Sequence, residues 1–171
     1  VWIKSDLTGT DRGFIICEPP VGNDSFVTMR YDAAGASFGG TNLLKMAVTS
    51  APGGEQQLES SSGLQTTEWQ HVAMTWTGGG LIRFYVNGVE NTPTGRNGPN
   101  NAGTVSGCST LIVGAGAKDT TTATQGWDGL IDDVRIYGKA LTADELKDVM
   151  IGRPDLARNP KPSDGSTTDI E

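Results

Sequence analysis

Alternation of apolar and polar positions governs most of this 171-residue chain. Trp2-Ile3-Lys4 and residues 13–17 read as strands, the second closed by Pro19-Pro20. Residues 25–31 form another, ended by Asp32 and a Gly/Ala stretch, and residues 42–49 a further one, closed by Ala51-Pro52-Gly53-Gly54. The clearest pair is 69–77 and 81–86, separated by Gly78-Gly79-Gly80. Val72, Met74 and Trp76 share one face of the first strand and Ile82, Phe84 and Val86 one face of the second, which predicts a hairpin with a single buried face. Asn87-Gly88 follows, a strong hairpin signal because both central residues of such a turn take positive φ. Residues 108–114 and 130–137 are the last strands, and residues 91–107 and 118–125 read as polar loops.

Beyond residue 140 the period changes. Thr142 and Glu145 match a capping box, acidic residues fill the first turn, and Leu146, Val149 and Met150 fall on one side, so residues 141–150 predict one short helix. From Gly152 on, Pro154, Pro160 and Pro162 make an extended linker. The expected architecture is all-β: a two-sheet antiparallel β-sandwich of jelly-roll type with one short C-terminal helix.

Composition narrows the function. Twenty acidic against thirteen basic residues give a formal charge of −7, which attracts neither nucleic acid nor anionic lipid. The longest apolar runs fall far short of the roughly 20 residues that span a bilayer, so membrane insertion is not expected. No signal-peptide pattern is read at Val1, and the strand-like start is expected of an excised or processed piece of something larger. Cys17 and Cys108 are the two cysteines. A bridge between them would close a long loop and contribute roughly 4–5 kcal/mol; two unpaired, buried thiols are the alternative. With one histidine they are too few for a structural zinc site.

Two blocks carry a family likeness. Glu68-Trp69-Gln70-His71-Val72-Ala73-Met74-Thr75-Trp76, followed by Tyr85-Val86-Asn87-Gly88, resembles the laminin-G-like jelly roll of the concanavalin-A-like lectin/glucanase superfamily. Trp127-Asp128-Gly129-Leu130-Ile131-Asp132-Asp133-Val134-Arg135-Ile136-Tyr137, then Lys139-Ala140-Leu141-Thr142, is similar to a second block of that family. The resemblance covers residues 1–151 and implies the sandwich. Such domains normally carry a further strand or two ahead of the Trp2 strand; the resemblance implies that this strand lies outside the present fragment or that another segment completes the sheet edge, and an edge left unpaired would invite aggregation or strand addition from a partner. The tail from Pro160 to Asp169 resembles the entry of a following β-sandwich module, which implies that 152–171 is a linker within a modular, bacterial-type surface protein.

The likeness includes glucanases, so catalysis has to be weighed. Retaining glucanases set two carboxyl groups about 5 Å apart, along one strand as E-x-D-x-E or E-x-D-x-x-E. Glu55 with Glu59 reads as flanking a turn, Asp132 and Asp133 as pointing to opposite faces, and Asp144, Glu145 and Asp148 as a helix start. None makes a catalytic pair, and no triad motif surrounds His71, which reads as a structural histidine hydrogen-bonding across the sheet. No enzyme is expected.

Asp132 shares strand parity with Leu130, Val134 and Ile136, so it is expected on the core side, where a carboxylate needs backbone donors or a cation. The resemblance implies a calcium site at the rim with Asp132 as ligand; Asp128 and the Asn23-Asp24 loop are weaker candidates. Trp2, Trp69, Trp76 and Trp127 are assigned to the core, leaving Tyr31, Phe38 and Tyr137 as candidate exposed rings for a sugar. Ligand-binding residues stay unassigned; the loops 91–107 and 118–125 are the natural place for them. The expected function is a non-catalytic, extracellular or cell-surface module that recognises a glycan or protein ligand beside neighbouring domains of its parent chain. The rival reading is a structural or adhesive assembly module without sugar binding.

Overall fold

The computed structural model describes residues 1–18, 26–34, 40–50, 54–78, 80–91, 95–97, 108, 110–119 and 122–152. Its strands are β1 (Trp2–Ser5), β2 (Arg12–Glu18), β3 (Phe26–Ala34), β4 (Thr41–Ser50), β5 (Gly54–Glu59), β6 (Gln70–Thr75), β7 (Arg83–Val86), β8 (Val89–Glu90), β9 (Gly95–Asn97), β10 (Thr110–Val113), β11 (Ala117–Asp119), β12 (Thr122–Thr124) and β13 (Gly129–Asp132). Among the described residues one helix, α1 (Ala143–Met150), follows.

The strands form a five-stranded sheet, β13-β1-β6-β7-β8, and a six-stranded sheet, β10-β2-β3-β4-β5-β9, with β11 and β12 as a separate hairpin. All pairings among the described residues are antiparallel. Alternate residues of both sheets meet in one core: Ile3, Val72 and Phe84 from the first, Phe14, Met29, Tyr31, Leu44, Met46, Val48 and Leu58 from the second. This is the expected all-β sandwich.

Local chemistry explains the joints. Asn87 and Gly88 take φ of 50° and 75°, as the β7–β8 turn requires. Thr142 and Glu145 close a reciprocal capping box at the start of α1. Leu146 and Val149 then bury a second small cluster against Tyr85 and Leu141, so α1 covers the outer face of the five-stranded sheet. Gly13 marks a shift of register on β2, and a Cβ there would lie 1.7 Å from Gly116 Cα. Its lack of a side chain lets residues 115–116 cross the outer face of the six-stranded sheet.

Cys17 and Cys108 form a disulfide with Cα atoms 5.5 Å apart, tying β2 to the segment ahead of β10. Two sequence expectations change. Segments 91–107 and 118–125 are not loops throughout, since β9 and the β11–β12 hairpin lie within them. The last strand stops at Asp132 instead of running to 137. Residues 153–171, read as the linker, lie outside the described residues, as do Asn23, Asp24 and Phe38.

Candidate functional site

The rim carboxylates come first. Ile131 stands directly opposite Ile3, a fully buried core residue, so Ile131 faces inward while Leu130 and Asp132 face out. Asp132 is exposed and its Oδ1 accepts from Asp133 N at 2.8 Å. The parity expectation therefore fails, for a local reason. Asp133 adopts φ of 49°, which shifts the alternation by one residue and returns Val134 to the core while Ile136 stays 69% exposed.

Asp132 pairs with Trp2, whereas Asp128 lies four residues away and offers its backbone carbonyl to Asp6 N and Ser5 Oγ. At about 3.3 Å per strand residue the two are roughly 13 Å apart. Calcium takes its oxygen ligands at about 2.3–2.6 Å, so these two residues do not fit one shared ion. Among the described residues, no group of three or more His, Cys, Asp or Glu side chains converges.

His71 sits beside this rim, paired with Trp2 across the β1–β6 ladder, with their rings edge to face at 5.3 Å. Its backbone bonds to Asn87, but its Nδ1 is buried without a hydrogen-bond partner. Burial, reinforced by the neighbouring Val1 ammonium, pushes its pKa down to about 4, so the ring is neutral at pH 7. The expected cross-sheet bond through Nδ1 is not made. Tyr31, expected as an exposed ring, is fully buried, its hydroxyl donating to Thr66 O and its ring edge-on to Trp127. Tyr137 is partly buried, and Trp69, expected in the core, is 42% exposed.

The densest unexpected chemistry lies on the outer face of the six-stranded sheet. Cross-strand register aligns Gly13, Arg30, Lys45 and Glu59 in one row, with Thr28, Ala47 and Gln57 in the next. Asp32 projects from the same face of β3. The Arg30 guanidinium and the Lys45 ammonium approach its Oδ2 at 3.6 and 3.8 Å. Asp32, Lys45, Gln57 and Glu59 are all buried. Burial raises the Asp32 pKa, against the pull of Arg30 and Lys45.

Both oxygens of Glu59 lack a hydrogen-bond donor, as do Asp32 Oδ2 and, for an acceptor, Arg30 Nε. Such orphans are expensive in a folded interior and mark places where a further group is accommodated. Sequence reading missed this face because it took Glu55 and Glu59 as turn-flanking residues; both belong to β5, in register with β4. The signal was present in the polar alternation Thr28, Arg30, Asp32 on a strand whose other face is Met29 and Tyr31.

Alongside this face, Gln65 is buried and holds four backbone groups. Its Oε1 accepts from Gly9 N at 2.7 Å, and its Nε2 donates to Asp32 O at 2.9 Å, Leu43 O at 3.1 Å and Thr10 O at 3.4 Å.

Two packed antiparallel sheets with a polar outer face and a capping helix define a jelly-roll β-sandwich. The sequence pattern of the concanavalin A-like lectin/glucanases superfamily matches residues 1–147, and the chain belongs to that superfamily. Among proteins of curated function, none matches the sequence.

Two solved structures are similar. A native heptameric SAP-like pentraxin from Limulus polyphemus superposes with a TM-score of 0.57 at 18% identity, over 86% of this chain and 66% of that one. An S-layer domain-containing protein (residues 221–444) from Clostridium thermocellum gives 0.40 at 24% identity, over 87% and 66%. The chain thus spans just under two thirds of each. The pentraxin likeness supports the jelly-roll fold. No helix among the described residues is long and apolar enough to cross a membrane.

Proposed function

We propose that the chain is a non-catalytic recognition module of a larger, modular extracellular or cell-surface protein, and that it binds carbohydrate on the outer face of the six-stranded sheet. The observation that supports this is the row of half-buried Arg30 and buried Lys45 and Glu59, with buried Asp32 beside it, which holds two cationic donors and two carboxylates, one of them without a donor. Saccharide hydroxyls both donate and accept, so one ligand can satisfy Glu59 and Asp32 while accepting from Arg30 and Lys45. Asp32 and Glu59 lie two strands and two residues apart, roughly 12 Å between backbone positions, and Asp32 is turned to its cations. That arrangement suits recognition better than a hydrolytic pair.

A glycan array probed with the whole chain and with Glu59→Gln tests this. Binding by the native chain that the variant loses, with unchanged circular dichroism, is the expected result. Binding that survives the substitution places the sugar elsewhere. Absence of glycan binding favours the structural reading, for which the half-exposed Leu111 and Val113 on the β10 edge are the specific support. Calcium at the rim is tested by melting the chain in chelator and then with calcium restored. The separation of Asp132 and Asp128 predicts no change, and a rise of several degrees would show that other ligands join Asp132.

A further inference from the structure

Asp32 on β3, Lys45 on β4 and Glu59 on β5 share the outer face of three adjacent strands, and they are 3%, 6% and 0% exposed. Lys45 stands directly opposite Glu59 across the β4–β5 ladder, a relation that sets Cβ atoms about 4.5–5.5 Å apart. Asp32 lies on the diagonal, because its own partner on β4 is Leu43. The Lys45 Nζ ends 3.8 Å from Asp32 Oδ2.

A buried ion pair offsets its desolvation only by closing into short, charge-assisted hydrogen bonds. This one stays open. Among the described residues, Asp32 Oδ2 accepts no hydrogen bond and both Glu59 oxygens are without a donor. The face is also roofed: Arg30 donates to Gln125 Oε1 at 3.1 Å and Thr28 Oγ1 to Gly116 O at 3.3 Å, which draws the chain around 116 and 125 over the strands. An amine, a carboxyl group and an unpartnered base are thus held together away from water.

We propose that the chain condenses Lys45 with Asp32 into an intramolecular amide, with Glu59 as the proton carrier. The step balances within these groups. Glu59 takes one proton from the Lys45 ammonium, and the neutral amine attacks Cγ of the protonated Asp32 carboxyl, forming the C–N bond. The Arg30 guanidinium, 3.6 Å from Asp32 Oδ2, faces the oxygen on which negative charge gathers. Glu59 gives its proton to the departing hydroxyl, the C–O bond breaks and water leaves. Glu59 then takes the second proton from nitrogen. Ammonium, carboxyl and carboxylate have become amide, water and protonated Glu59.

The surroundings favour each stage. Burial, with the neighbouring Asp11 carboxylate, raises the Asp32 pKa against Arg30 and Lys45, which favours the protonated carboxyl that can lose water. Fixed strand register replaces a chance encounter of the two groups. The product removes the buried ammonium, and its carbonyl accepts from protonated Glu59, ending the isolation of that side chain. The chain acts once, on itself, and the inference does not rest on glycan binding.

The test is the mass of the whole chain after its disulfide is reduced. The native chain is expected to be lighter than its sequence by one water, and trypsin, after denaturation, to lose its cut after Lys45. Water lost as a succinimide at an aspartate leaves that cut intact. Lys45→Met, Asp32→Ala and Glu59→Gln are expected at full mass, with circular dichroism reporting which of them fold. A native chain at full mass overturns the proposal whether or not the variants fold. So does a one-water loss that leaves Lys45 cleavable, or a complete cross-link in folded Glu59→Gln. Mass reads the bond with no glycan present, so failure here is distinct from failure of the carbohydrate reading on the array.

Discussion

Replacing Gln65 by Glu changes one nitrogen to oxygen and keeps the shape of the side chain, yet it is expected to make the fold sensitive to pH. The Gln65 Nε2 donates to the carbonyls of Asp32 and Leu43 at 2.9 and 3.1 Å, and the residue is buried. A carboxylate oxygen there faces both carbonyls with no proton to offer. Losing two donors to buried acceptors costs about 1–3 kcal/mol each. A protonated carboxyl recovers one of them, so the folded variant holds its proton and its pKa rises above the unfolded value of about 4.3.

The sign follows. Above pH 4.3 the folded state binds more protons than the unfolded state, so stability falls as pH rises, by about 1.4 kcal/mol per unit until the folded carboxyl ionises. Between pH 4.3 and 7 the loss reaches about 3.7 kcal/mol at most. With the lost donor added, it approaches the whole stability of many domains, about 5–15 kcal/mol. Urea denaturation of the native chain, Gln65→Glu and Gln65→Ala at pH 4, 5.5 and 7 reads this directly. A Gln65→Glu deficit that stays below 1 kcal/mol, or does not grow with pH relative to Gln65→Ala, refutes the role given to these hydrogen bonds.

Other perturbations have equally definite outcomes. Reducing the Cys17–Cys108 bridge, which spans 91 residues, is expected to lower stability by about 4–5 kcal/mol, seen as a shift of the urea midpoint with and without reductant. His71, neutral in the fold with its pKa near 4, gains a proton more readily when unfolded. Stability is therefore expected to fall as pH drops from about 6.5 towards 4, and His71→Phe to flatten that part of the melting curve. Gly13→Ala sets a Cβ 1.7 Å from Gly116 Cα and should cost on the order of 3 kcal/mol. Gly138→Ala, with no atom within 4 Å of the added Cβ, should be close to neutral by the same thermal melt.

Much of the fold was legible because period-2 patterning reports which strand face is buried. Val72 and Phe84 lie in the core as their parity implied, and the Asn87-Gly88 turn and the Thr142–Glu145 capping box formed where their chemistry placed them. The Cys17–Cys108 pairing was left open, because sequence spacing does not report distance in space. The candidate site was far less legible. One left-handed residue, Asp133, was enough to invert the parity argument around Asp132, and positive φ at an aspartate leaves no pattern along a strand. Tyr31 looked available to a sugar because its burial depends on Trp127, almost a hundred residues away. The polar row was hidden for a related reason: Arg30, Lys45 and Glu59 are neighbours only through the register of three strands.

The order β13-β1-β6 gives the chain an unusual assembly schedule. Trp2 is hydrogen-bonded into the sheet beside Asp132, so the first strand has one of its two neighbours near the far end of the described chain. The pairing of β1 therefore cannot be completed early in synthesis. The hairpins β3–β4 and β6–β7 can zip locally, but β1 gains its second neighbour only after β13 has left the ribosome. Non-local pairing of this kind is paid in loop-closure entropy before it is rewarded, which places the chain among slow-folding β proteins, with refolding expected on the scale of milliseconds to seconds.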